Sequence, residues 1–246
     1  MKRVKMLAAA AAMVAVASGS AMAGPSGQIN IPSTDAKGLQ EVTASINNNA
    51  RFSTNADAGP NLFDIGVVTG LLPFEKIKLE IGADYGTTGS ATKRPITYNA
   101  KLATAEDALF TGLPAFAVGG YNLGTVRTDS NAQNIWYGLV ARTFPVVGRL
   151  SVGGYSGDKK ALVNAAGKKD STGVLASWDR TISEVSDKLW LGIDYLSGKN
   201  ADGEVSVGGS WAFSKQITLL TGVTFPTEKA TGGKPAFTTQ LSINLP

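Results

Sequence analysis

The chain has 246 residues, a formal net charge of +4, 43% hydrophobic residues, and neither histidine nor cysteine. Without histidine there is no Ser-His-Asp hydrolysis, no His-ligated zinc or iron and no haem on an axial His. Without cysteine there is no disulfide and no lipid anchored to a Cys, so stability must come from burial or from a membrane.

Lys2, Arg3 and Lys5 precede an apolar run over 6–18, and Ala21-Met22-Ala23 precedes Gly24. This pattern predicts a secretory signal peptide over 1–23, cleaved before Gly24. The run falls short of the ~20 residues a spanning helix needs. Cleavage removes three positive charges and no negative one, taking +4 to +1. The basic pI therefore belongs to the leader and gives no reason to expect nucleic-acid binding, which wants a clustered basic face. The rest is long enough for one barrel, and the predicted organisation is a periplasmic N-terminal segment over 24–37 followed by a barrel domain over 38–246.

Along the chain, strands are predicted over 39–52 and 61–71. The third, over 76–85, alternates most cleanly: Ile77, Leu79, Ile81, Ala83 and Tyr85 against Lys76, Lys78, Glu80, Gly82 and Asp84. A period of two puts one set on each face of a strand, whereas a helix would mix them. Weaker segments follow over 95–103, 113–123, 133–144, 147–156 and 173–181. In 113–123 the facing is open, with Phe116 and Val118 competing against Ala115, Ala117 and Tyr121. Clear alternation returns at Leu189, Leu191, Ile193 and Tyr195, at Val205, Val207, Trp211 and Phe213, at Ile217, Leu219, Val223 and Phe225, and at Phe237, Leu241, Ile243 and Leu245.

The segments total twelve, most of them near the ~9–11 residues of a tilted spanning strand. Short links around 73–74, 145, 182–186 and 214–215, with a slightly longer one over 104–112, alternate with long polar ones over 53–60, 86–94, 124–132, 157–172, 197–202 and 226–235. The pattern predicts an all-β, closed antiparallel transmembrane barrel of about twelve strands with short periplasmic turns and long extracellular loops. Closure follows because unpaired backbone groups in hydrocarbon cost several kcal/mol each. Tyr85, Tyr98, Tyr195, Trp211 and Phe225 are expected outward, near strand ends, as interface girdles. A soluble β-sandwich or a periplasmic barrel is the competing reading, since its strands also alternate.

These features resemble the small single-chain Gram-negative outer-membrane β-barrels, across nearly all of 38–246. Gln28-Ile29-Asn30-Ile31-Pro32-Ser33-Thr34-Asp35 and Gly70-Leu71-Leu72-Pro73-Phe74-Glu75 resemble segments of uncharacterised porin-like barrels. The resemblance implies an outer-membrane location, contact with lipid and lipopolysaccharide, and help from the barrel-assembly machinery. One departure is the Asn244-Leu245-Pro246 ending, where such barrels usually finish on an aromatic residue.

Pore-lining candidates are Glu41, Asp64, Lys76, Lys78, Glu80, Asp84, Lys101, Arg142, Arg149, Lys188, Asp194 and Glu204, with Arg51 and Asp179 beside them. Seven of these fourteen are basic and seven acidic, which predicts a wet lumen with weak ion selectivity. Mutual ion pairing that fills the lumen is the competing reading, because a twelve-strand ring lies between a filled eight-strand barrel and an open sixteen-strand pore. Lys159, Lys160, Lys168 and Lys169 on one long loop, and Lys93 and Arg94 on another, either grip lipopolysaccharide phosphates or are simply solvated. Glu80 and Asp84, four residues apart on one face, lie roughly 13 Å from each other at the usual strand rise, too far for a glycosidase pair. No catalytic residue, cofactor or metal is assigned. The leading expectation is a passive channel for small polar solutes. The alternative is a non-conducting structural or interaction barrel, and a membrane-embedded hydrolase, without the usual histidine, comes third.

Overall fold

A computed structural model describes residues 26–88, 95–125 and 132–245. The leader expected over 1–23, and Lys93 and Arg94, lie outside them. Twelve strands follow one another: β1 (Val42–Arg51), β2 (Leu62–Gly70), β3 (Lys78–Thr87), β4 (Ile96–Thr104), β5 (Ala115–Leu123), β6 (Ile135–Phe144), β7 (Gly148–Ser156), β8 (Thr172–Thr181), β9 (Leu189–Leu196), β10 (Glu204–Ala212), β11 (Ile217–Pro226) and β12 (Ala236–Leu245). Each pairs antiparallel with its sequence neighbours, and β1 pairs with β12 from Val42↔Leu245 to Arg51↔Ala236, which closes the barrel. Every predicted strand is present, displaced by at most a few residues at its ends.

The period of two is realised as two faces. Outward positions carry Ile65, Ile81, Leu102, Val118, Val140, Val152, Ile193 and Val207, all more than a third exposed, together with Tyr85, Tyr98, Tyr195, Trp211 and Phe225. In β5 the open question is resolved: Ala115, Ala117 and Tyr121 are buried inside, while Phe116 and Val118 face out. Inward residues differ in size around the ring. On β10 to β12 most are small, including Ser206, Gly208, Ser210, Gly222, Thr238 and Ser242 beside the larger Glu204, Leu220 and Gln240, whereas β5 to β9 contribute Tyr121, Tyr137, Leu139, Tyr155, Leu175 and Trp190.

Links at the β1-start end cover 71–77, 105–114, 145–147, 182–188 and 213–216; those at the other end cover 52–61, 88–95, 124–134, 157–171, 197–203 and 227–235. The short-and-long contrast is looser than expected, since 105–114 is as long as 52–61. Its length is used: Asp107 in this link accepts from the Gly112 N–H at 2.7 Å and pairs with Arg142 at 3.0 Å. At the opposite mouth the 157–171 loop turns inward, so that Leu162 is fully buried against Ile135, Tyr155, Leu175 and Leu196. Its lysines 159, 160, 168 and 169 remain exposed.

The N-terminal segment departs from expectation. Instead of hanging outside the barrel, residues 26–33 form a tight hairpin, with Gln28 N–H donating to Ile31 O at 2.8 Å, Ser33 N–H to Ser26 O at 3.0 Å, and a bridge between Gly27 and Pro32. That hairpin stands inside the lumen. Its Ile29 and Ile31 bury apolar area that a periplasmic tail would leave in water, and burial of this kind stabilises by roughly 25 cal/mol per Å².

Candidate functional site

Three lumenal carboxylates hold the hairpin. At the tip, the N–H groups of Ile29, Asn30 and Ile31 converge on one Asp194 oxygen at 2.9, 2.7 and 3.2 Å. Successive amides pointing the same way make a concave anion site, and β9 presents its aspartate there because Trp190, Gly192, Asp194 and Leu196 share the inward face.

Near the β1-start end, Glu80 accepts from the Ser26 N–H at 2.7 Å, the Ser26 hydroxyl at 2.6 Å and the Lys37 N–H at 3.0 Å. Lys101 completes this knot, donating to Ser26 O at 2.7 Å and lying 3.5 Å from Glu80. Both side chains are fully shielded from solvent. Lys101 sits opposite Glu80 in the β3–β4 register, so adjacent strands bring the pair together.

The third carboxylate, Asp179, accepts from Gln28 Nε2 at 2.9 Å, Arg149 Nε at 2.9 Å and Trp190 Nε1 at 3.1 Å. Arg149 reaches on to Asp35 at 2.8 Å, which ties the returning arm of the segment to β7. On the far side Gln240 Nε2 donates to Ile29 O at 2.8 Å, and Asn30 Nδ2 to Ser206 Oγ at 3.0 Å. Hydrogen bonds to charged groups contribute roughly 1.5–3 kcal/mol each, so an array of this size is an anchor and not a brush contact. Apolar contacts add to it: Ile29 packs in a cluster with Trp190 and Leu220, and Ile31 against the tyrosine-rich wall.

Beyond the hairpin tip lies a cavity of about 240 Å³, floored by Asn30 and lined by Arg51, Asp64, Asp202, Glu204 and Gln240 among others. Asp202, in the β9–β10 loop, accepts from Gln133 Nε2 at 2.7 Å. Burial pushes its carboxyl up to about 6, against that hydrogen bond.

The twelve pore-lining candidates separate into three groups. Asp64, Lys78, Glu80, Asp84, Lys101, Arg149, Asp194 and Glu204 lie on inward strand positions, as do Arg51 and Asp179. Glu41, Lys76 and Lys188 do not line the lumen: each precedes its strand and is exposed, because the alternation continues into the turn after the pairing has stopped. Arg142 is also misassigned. It shares the outward face of β6 with Trp136 and Val140, and its guanidinium bends to Glu106 and Asp107 at the rim, as a long cationic side chain does when its stem lies on apolar surface. Sequence reasoning gave no role to Ser26, Gln28, Ile29 or Asn30. A signal was present in the inward Trp190 and Leu220, which have no place in a purely wet lumen.

No protein-family model and no curated protein matches the chain. Solved structures do. A chain from work described as "Unveiling the Mechanism Behind the in-meso Crystallization of Membrane Proteins" is 16% identical, covers 83% of each chain and has a TM-score of 0.50. A chain from "Salmonella typhi OmpF complex with Daunomycin" is 9% identical, covers 83% of this chain and 96% of its own, and has a TM-score of 0.40. The first likeness supports the barrel fold. Among the described residues no group of three or more His, Cys, Asp or Glu side chains is placed to hold a metal ion.

Proposed function

We propose that the protein is a porin-like outer-membrane barrel whose lumen is held shut by its own N-terminal hairpin, a pathway for small polar solutes opening only when that hairpin leaves. The observation that carries this reading is the seating of residues 26–33 on Asp194, Glu80 and Asp179. The two arms of the hairpin occupy lumen space between Glu80, Asp179 and Asp194, so their removal vacates room for small hydrated solutes. The outward band of Ile, Leu and Val supports lipid around the ring, because an apolar surface of that extent is costly in water. The exposed lysines of the 157–171 loop suit lipopolysaccharide phosphates, and the assembly machinery for such barrels is the expected partner in biogenesis.

Planar-bilayer recording tests the reading. The mature full chain is expected to be silent, and the chain lacking residues 24–37 to conduct in discrete steps. Steady conductance from the full chain would overturn the closed lumen. Silence from both chains would favour the other reading, a non-conducting structural barrel.

A further inference from the structure

We propose that the cavity beyond the hairpin tip is a binding site for a short organic dication, of which a four-carbon diamine is the model. Three carboxylates, Asp64, Asp202 and Glu204, line it against a single cation, Arg51. Among the described residues none of the three makes an ion pair with a lysine or arginine. Arg51 is engaged elsewhere, donating from Nε to Pro60 O at 3.2 Å and from Nη1 to Lys234 O. Lys234 itself pairs with Asp57 at 2.6 Å. With all three ionised the lining carries two negative charges in excess of Arg51, and part-buried anions without counter-charge are costly, a cost that a bound dication would offset.

A second observation points to a missing donor. Gln240 is 2% exposed and its Nε2 is spent on Ile29 O, yet its Oε1 has no hydrogen-bond partner, and the same holds for Asp64 Oδ1 and Asp202 Oδ2. Three acceptors around one cavity ask for N–H donors carrying positive charge. Size suits the class: about 240 Å³ corresponds to roughly eight waters at ~30 Å³ each, room for a diamine of a few carbons. An ammonium at each end would neutralise the excess and satisfy the orphaned oxygens.

The site depends on the closed lumen, since Asn30 of the seated hairpin is its floor. Conductance reports the hairpin, and calorimetry reports the ligand, so the two failures are separable. Titration of 1,4-diaminobutane into the detergent-solubilised full chain at pH 8 is expected to give saturable binding, weakened at least tenfold in Asp64→Asn and in Glu204→Gln and lost progressively with added salt. Glycerol and acetate are expected not to bind. Absence of saturable diamine binding in a chain that is silent in bilayers would overturn the proposal while leaving the closed lumen intact. Equal binding of glycerol, or insensitivity to salt in the unmodified chain, would overturn it even if neither variant folds.

Discussion

Glu80 and Ile81 are neighbours in sequence and opposites in environment. Alternation alone suggests that an inward Glu80→Gln is cheap and an outward Ile81→Lys is expensive. The second stays the expectation for a barrel in lipid: Ile81 is 39% exposed on the outer face, and a lysine near the bilayer midplane costs about 2–4 kcal/mol. The first does not. Glu80→Gln strands the shielded Lys101 without its counter-charge, and breaking a buried pair this way costs roughly 3–5 kcal/mol. Urea unfolding in lipid should therefore reveal two comparable losses, and a near-neutral Glu80→Gln would mean that the pair is wet. Asp202 gives the pH dependence. Its folded value of about 6 lies above the unfolded 3.8, so its contribution favours folding fully below pH 4 and is lost as pH rises through 6. Thermal unfolding between pH 4 and 8 should lose stability over that window, and Asp202→Asn should flatten the profile and raise stability at pH 8.

Among the elements, the strands were legible and the hairpin was not. Residues on a strand such as β9 face outward on one side and into the lumen on the other, so their chemistry alternates, and the sequence records it from Leu189 to Leu196. The hairpin meets only the lumen wall, whose polarity varies from Asp194 to Trp190, and Gln28-Ile29-Asn30-Ile31 therefore reads locally like any short extended piece. What makes it a plug is an acceptor more than 160 residues away at Asp194 and a donor 211 away at Gln240, and a single sequence carries no record of such pairings. The candidate lining was legible in part for the same reason: alternation gives a residue's side but not where its strand stops, which misplaced Glu41, Lys76 and Lys188. Because the native chain has no cysteine, Ile29→Cys offers a clean probe of hairpin residence. Ile29 is fully buried, so the thiol should resist a membrane-impermeant maleimide in the folded barrel and react on denaturation. Rapid labelling of the folded chain would place the hairpin outside.

For the whole molecule, closure governs behaviour. Twelve strands with β1 zipped to β12 leave no sheet edge, and an edgeless ring resists detergent until heat breaks all its ladders together. Electrophoresis in dodecyl sulfate should give a compact, fast-migrating band without boiling and a slower one after it. A single mobility under both conditions, or a mature chain monodisperse in plain buffer, would be incompatible with a lipid-embedded ring.

The grip on Ile29 by Gln240 also orders events in time. A ribosome makes the tip early and its last clasp at the far terminus, so the N-terminal residues must wait through the synthesis of nearly every other strand before their nest is finished. The Gln240 clasp cannot close before β12 exists, and β12 is also the strand that seals the ring against β1.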